Sequence, residues 1–173
     1  MNLIILDRDG VINEESPSFI KSPEEWIPIK GSLEAIATLN AKGYQVAVAT
    51  NQSGVGRGLY TLDTLAQIHA KLKTDLSHYG GQIDFFAICP HHPDDNCVCR
   101  KPKSGLFEQI KRHFACDLSG VLCVGDSLRD LQAAQSAGGE PVLVLTGNGE
   151  KTRLVMPEHT QVYASLAALV KTL

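Results

Sequence analysis

Short apolar runs alternate along the chain with segments whose apolar residues recur every three or four positions. The runs are Leu3–Leu6, Tyr44–Ala49, Ile83–Ile88, Val121–Val124 and Pro141–Leu145, the length and composition of buried strands. Between them lie helical patterns. Leu33, Ile36, Ala37 and Leu39 mark one face of a helix that Ser32 can cap and Gly43 can end. Leu62, Leu65, Ile68 and Leu72 follow Thr61, another capping residue, and stop near Gly80-Gly81. Leu106, Phe107, Ile110 and Phe114 follow Ser104; a further helix runs from about Leu128 to Ala137 and halts at Gly138-Gly139; Ser165–Leu173 reads as the last. The order β-α-β-α-β-α-β-α-β-α, with nearly continuous apolar strands, predicts an α/β fold: a doubly wound, mainly parallel sheet with helices on both faces.

Such a sheet binds its ligand beyond the carboxyl ends of its strands, so the residues after each run are the candidates for chemistry. Asp7, Arg8, Asp9 and Gly10 follow the first run, and Thr50, Asn51, Gln52 and Ser53 the second. A cysteine-rich loop and then Arg100-Lys101 follow the third; Asp126, Ser127 and, one helical turn on, Asp130 follow the fourth. Thr146-Gly147-Asn148-Gly149 follow the last. Carboxylates that converge repel one another and need a cation; an all-oxygen set that keeps waters and shares itself with phosphate suits Mg²⁺. Asp7 and Asp9 flank one residue and in an extended segment point to one side. One can attack phosphorus while the other moves a proton at the leaving oxygen. Lys101 and Thr50 suit stabilisation of the charge on a transferring phosphoryl group.

Composition narrows the class. The 173 residues fit one domain, 1–173, by the prior of roughly 100–200 residues per domain. Hydrophobic residues make up 43% and charged residues 20%, ordinary values for a folded domain with its own core. The formal net charge of -3 and the lack of a basic stripe argue against a nucleic-acid partner. No apolar run approaches the roughly 18–20 residues that span a bilayer, and the N-terminal segment lacks the basic region of a secretory signal. The expected location is cytoplasmic. With no long exposed apolar seam, a monomer is expected.

Of the five cysteines, three cluster. Cys89-x-His91-x5-Cys97-x-Cys99 offers three thiolates and an imidazole, a set suited to tetrahedral Zn²⁺; His92 is a weaker competitor for the histidine place. A site filled by four protein ligands is structural, and this one would pin the loop 89–99 and the direction of Arg100 and Lys101. Cys116 and Cys123 read as inert, the latter as core. His69, His78, His113 and His159 read as surface or packing residues. Trp26 is left open between a wall of the site and a structural plug.

Leu6-Asp7-Arg8-Asp9-Gly10-Val11, Thr50-Asn51-Gln52-Ser53-Gly54, Arg100-Lys101-Pro102 and Gly125-Asp126-Ser127 resemble the four motifs of the haloacid dehalogenase superfamily of phosphatases, over essentially the whole chain. The longer stretches Asp7–Asn13, Thr50–Gly58 and Cys89-Pro90-His91-His92-Pro93 are similar to its heptose bisphosphate 7-phosphatase branch, which serves ADP-heptose and lipopolysaccharide core synthesis. The resemblance implies a HAD-like Rossmannoid fold with no large cap domain. It implies Asp7 as nucleophile forming an aspartyl-phosphate, Asp9 as general acid and then base, and Thr50 and Lys101 as holders of the phosphoryl group. It also implies Mg²⁺ on Asp7, the carbonyl of Asp9 and Asp126, and substrate contacts from Asn51, Gln52, Ser53, Arg100 and the segment Glu15, Ser16, Pro17 and Ser18. Ser127 stands where the family often has lysine. The implied substrate is a phosphosugar. A histidinol-phosphate phosphatase shares the motifs and the zinc spacing, and Val11-Ile12-Asn13 and Gly54–Gly58 favour the heptose branch. An inactive zinc-stabilised binding module is a third possibility, against which the intact Asp7, Asp9, Lys101 and Asp126 stand.

Overall fold

The structure is a computed structural model and describes residues 2–173. Its centre is a six-stranded, all-parallel sheet in the order β3-β2-β1-β4-β5-β6. The strands are β1 (Leu3–Leu6), β2 (Gln45–Asn51), β3 (Phe85–Cys89), β4 (Leu122–Gly125), β5 (Glu140–Val144) and β6 (Gln161–Tyr163). β1 lies between β2 and β4 and every residue of it is buried. The helices are α1 (Ser32–Ala41), α2 (Ser53–Gly56), α3 (Leu62–Ser77), α4 (Gly105–Phe114), α5 (Leu128–Ala137), α6 (Gly149–Thr152) and α7 (Leu166–Val170).

Alternation along β1 divides the core in two. Ile4 and Leu6 face one layer with Ile36 and Leu39 of α1, Ile68, Leu72 and Leu76 of α3, and Leu166 and Leu169 of α7. Leu3 and Ile5 face the other, with Leu106, Phe107 and Ile110 of α4 and Ala133, Ala134 and Ala137 of α5. Side chains of a strand alternate between faces, so a strand buried on both reads as an unbroken apolar run. The doubly wound expectation, with helices on both faces, is met.

Several elements differ from the sequence reading, which also marks neither of the short helices α2 and α6 and starts β3 two residues early. β6 was not expected: it has only three residues, pairs on one side alone, and carries too little apolar pattern to be seen. β2 extends to Asn51, so Thr50 and Asn51 end the strand itself instead of following it. The last helix spans Leu166–Val170, shorter than Ser165–Leu173. Of the caps, Thr61 Oγ1 accepts from Thr64 N at 3.1 Å as expected. Gly31 takes the N-cap place of α1 instead of Ser32, whose hydroxyl donates to the Val11 carbonyl at 2.9 Å. Trp26 is 2% exposed within the first core layer and does not line the cleft below, which makes it a plug.

Candidate active site

Asp7 stands at the carboxyl end of β1, where its amide donates to the Val124 carbonyl at 2.9 Å and the sheet fixes its backbone. Its Oδ1 lies 3.0 Å from Lys101 Nζ. The same ammonium reaches Asp130 Oδ1 at 2.7 Å and donates to the Ala49 carbonyl at 2.7 Å. Lys101 is 2% exposed; its ammonium donates to the Ala49 carbonyl and is ion-paired with both carboxylates. Burial would depress its proton affinity, but Asp130 and Asp7 outweigh that and raise it, so it stays an ammonium.

Asp126 comes from the end of β4. Its Oδ2 accepts from Asn148 N at 2.8 Å. Gly10, at φ +83°, passes against this carboxylate, and a side chain there would meet it. Asp130, in the first turn of α5, accepts at Oδ2 from Ser127 N at 3.0 Å and Ser127 Oγ at 2.6 Å. Ser127 is thus engaged at the helix start. Asp7, Asp126 and Asp130 each offer an oxygen within 4.8 Å of the others. Burial first, then the neighbouring carboxylates, push Asp7 up to about 7 and Asp126 up to about 8. Three hard oxygen donors with a surplus of crowded negative charge fit a divalent cation of the Mg²⁺ type. The carboxylate of Asp9 is not in this group, and Asp130, to which no role was assigned from sequence, is.

Asp9 is held differently. Its Oδ1 accepts from Arg8 Nη2 at 2.8 Å, Arg8 Nε at 3.1 Å and Asn13 Nδ2 at 2.8 Å. Its Oδ2 accepts from Gln52 Nε2 at 2.9 Å. Burial would raise its pKa, but Arg8, Asn13 and Gln52 hold it below the usual carboxylate value. Gln52 also donates to Thr50 Oγ1 at 2.8 Å and accepts from Tyr60 OH at 2.7 Å. Gly54 leaves room for the Tyr60 ring, which a side chain there would strike.

These groups floor a cleft of about 250 Å³. Asp7, Asp9, Asn51, Gln52, Ser53, Arg100 and Lys101 line it, with Glu15, Ser16 and Pro17 on the rim. Thr50 lies behind Gln52, fully buried, and Ser18 and Asp126 are outside the lining. Asn51 clasps the Lys101 backbone from both sides: Lys101 N donates to its Oδ1 at 3.1 Å, and its Nδ2 donates to the Lys101 carbonyl at 3.2 Å. Arg57, Tyr60 and Arg129 also line the cleft and were missed from sequence. Arg57 lies within the Thr50–Gly58 stretch and Arg129 just ahead of Asp130, yet no role was read for either, and the fold brings both to the cleft. Arg100 Nη1 is buried without a hydrogen-bond partner among the described residues, a donor left for something in the cleft.

The cysteine loop closes one end. Cys89 ends β3, and the Sγ atoms of Cys89 and Cys97 lie 3.6 Å apart, as do those of Cys97 and Cys99. His91 Nδ1 is 3.2 Å from Cys99 Sγ and 3.7 Å from Cys89 Sγ. A tetrahedron with bonds of about 2.0–2.3 Å has edges of roughly 3.3–3.8 Å, so these spacings fit Zn²⁺ at the centre. His92 is turned away to cap a turn, with its Nδ1 accepting from Asp94 N at 3.1 Å. Cys123 is buried in the second core layer and Cys116 packs against it, as expected of inert thiols.

Comparison with known proteins agrees with this geometry. A family model described as HAD-hyrolase-like matches residues 98–169. The chain is 53% identical to the D-glycero-beta-D-manno-heptose-1,7-bisphosphate 7-phosphatase of Bordetella bronchiseptica, over all of this chain and 98% of that one. It is 51% identical to the protein of the same name from Pseudomonas putida, over 100% and 99% of the two chains. The crystal structure of the D,D-heptose 1.7-bisphosphate phosphatase from B. bronchiseptica, complexed with magnesium and phosphate, superposes with a TM-score of 0.98 at 53% identity, covering 99% of this chain and 97% of that one.

Proposed function

We infer the activity from the premise that this chain belongs to the D-glycero-beta-D-manno-heptose-1,7-bisphosphate 7-phosphatases, a family of HAD-like hydrolases. It is a Mg²⁺-dependent phosphatase that removes the 7-phosphate of heptose 1,7-bisphosphate, feeding the route to ADP-heptose and the lipopolysaccharide core. The observation that carries this reading is the buried Asp7–Lys101 pair, 3.0 Å apart, at the floor of an arginine-lined cleft. Asp7 Oδ attacks phosphorus, and the bond from phosphorus to the sugar oxygen breaks. Asp9 gives its proton to that oxygen, then takes one from the water that attacks the aspartyl-phosphate, which returns Asp7 as a carboxylate and releases phosphate. Lys101 fixes Asp7 and offsets charge on the phosphoryl oxygens, with Thr50 acting behind it through Gln52.

Asp7 and Asp126, with the Asp9 carbonyl, would hold Mg²⁺, which would neutralise their charge and polarise a phosphoryl oxygen; Asp130, held by Lys101 and Ser127, adds negative charge beside them. Arg100, Arg57 and Arg129 give the far part of the cleft a positive wall suited to the second phosphate of a bisphosphate, with Asn51, Ser53 and Glu15–Ser18 around the sugar. Cys89, His91, Cys97 and Cys99 hold a structural Zn²⁺. The protein works as a cytoplasmic monomer of one domain; among the described residues no helix is long and apolar enough to cross a membrane. The relatives named above carry the heptose name, which favours the bisphosphate over histidinol phosphate.

The test is kcat/KM for phosphate release, with Mg²⁺, from both anomers of heptose 1,7-bisphosphate and from histidinol phosphate. A preference of about a hundredfold for the bisphosphate, ~2.7 kcal/mol of differential transition-state binding, is expected, with the beta anomer the better substrate. Preference for histidinol phosphate would overturn the substrate and leave the catalytic roles standing.

A further inference from the structure

Arg8 is completely buried, and only one edge of its guanidinium is spent on Asp9. The remaining terminal nitrogen, Nη1, lies 3.2 Å from His69 Nε2. His69 sits on the inner face of α3, 6% exposed, with its ring stacked on Phe86 of β3 at 4.5 Å between centroids and 25° between planes. A guanidinium only donates, so Nε2 must accept and the ring proton must reside on Nδ1. An apolar side chain of similar size would fill the space, but would leave a buried cationic N–H without a partner.

We propose that His69 is a positioning residue for the acid–base step: its Nε2 accepts from Arg8 Nη1 and so fixes the guanidinium edge that holds the Asp9 carboxylate. Asp9 then has two backed arms. Gln52, backed by the Tyr60 hydroxyl, sets Oδ2; Arg8, backed by His69, sets Oδ1. Burial first, and then the charge of Arg8, hold the His69 ring down at about 3, so it is a neutral acceptor throughout the working range. The inference rests on the reading of Asp9 as acid and base, and goes beyond it by naming what aims that group.

A positioning role for the acid is separable from a packing role. His69→Leu removes the acceptor and keeps much of the volume; His69→Gln restores an acceptor. Both are compared with the wild type on heptose 1,7-bisphosphate and on p-nitrophenyl phosphate, whose leaving group departs without protonation. His69→Leu should lower kcat/KM on the sugar ester, which reports transfer to Asp7 and not the shared hydrolysis of the aspartyl-phosphate, ~10-fold, part of the 10²–10⁴ that general acid catalysis supplies. The loss on p-nitrophenyl phosphate should be much smaller, and His69→Gln should recover most of the rate on the sugar. Equal losses on the two substrates, or no advantage of Gln over Leu, would overturn the proposal. Nitrogen NMR of His69 in the wild-type protein decides the matter even where His69→Leu does not fold: a neutral ring protonated at Nδ1 is expected, and a proton on Nε2 rejects it. Failure of the wild type on the sugar bisphosphate would instead count against the substrate, and the ring tautomer would still be read.

Discussion

Asp7 and Asp9 are separated by one residue and are chemically alike, yet their surroundings pull them in opposite directions. Burial and the nearby Asp130 raise Asp7; Arg8, Asn13 and Gln52 overcome burial and lower Asp9. Chemistry needs the reverse order, an ionised nucleophile and a protonated acid. A cation bound beside Asp7 would lower its pKa, and a phosphoryl anion beside Asp9 would raise that of the acid. Asp7→Asn keeps the shape and removes the attacking oxygen anion. It should cut phosphate release at least ~10³-fold while leaving substrate binding measurable by calorimetry; residual turnover near the wild-type rate would reject Asp7 as nucleophile. At this scale position along the chain was informative: Asp7 and Asp126 directly follow β1 and β4, Lys101 follows the cysteine loop after β3, and the fold brings the three together. Asp130 was in view one turn beyond Asp126 but went unassigned, because its partnership with Lys101 is a fact of three dimensions. Arg57 and Arg129 stand within or beside stretches that were singled out but were given no role, and Tyr60 left no local signal.

Among the elements, the cysteine loop has almost no apolar support of its own. Its 3₁₀ turn, Pro93–Asp95, buries nothing, and Val98 is 79% exposed. What holds it is the ligand cluster and a few backbone ties, such as Gln52 N to the Cys89 carbonyl at 2.7 Å and Gly56 N to the Pro90 carbonyl at 2.8 Å. Asn51 then passes the loop's position to Lys101. Removal of Zn²⁺ should therefore cost both stability and rate. A loss of ~3–5 kcal/mol, roughly 10 °C in melting temperature for a chain of this size, is expected on chelation with loss of zinc verified by elemental analysis. An unchanged melting temperature in zinc-free protein would dismiss a structural role. The spacing of Cys89, His91, Cys97 and Cys99 was enough to propose the cluster; β6 was invisible because three edge residues have too short a pattern to register.

For the molecule as a whole, the crowded carboxylates set a pH dependence. Asp7 and Asp126 have folded-state pKa values of about 7 and about 8 against 3.8 unfolded. Above 3.8 the unfolded chain gives up protons that the folded one keeps, so these groups lower stability as pH rises toward 8. His69, about 3 folded against 6.5 unfolded, acts oppositely: the unfolded chain holds its proton longer, and stability rises up to about pH 6.5. Between pH 6.5 and 8 the two carboxylates still lower stability, while Cys97, held down to about 6 against 9.0 unfolded, raises it. The thiolates are common to Mg²⁺-free and Mg²⁺-loaded protein, so the difference in melting temperature between the two isolates the carboxylates, and the stabilisation by saturating Mg²⁺ should grow from pH 6.5 to 8. A Mg²⁺ stabilisation that does not grow with pH over that interval would contradict the crowding. The doubly wound sheet was legible from apolar runs alone because each inner strand is buried on both faces; the placement of two-sided charge around Lys101 was not, since it depends on how four strand ends meet.

The groups proposed to break the ester stand on or beside the rigid ends of β1, β2 and β4, while the surfaces that would meet the rest of the substrate belong to the 15–20 loop, the region around Arg57 and the start of α5. The two sets tolerate change unequally. A substitution at Glu15 or Arg129 alters which ester the cleft admits without moving Asp7 or Lys101, whereas the strand ends allow almost no replacement. Descendants of this chain can thus drift toward new phosphate esters by revising the cleft wall while inheriting the same cleavage chemistry intact.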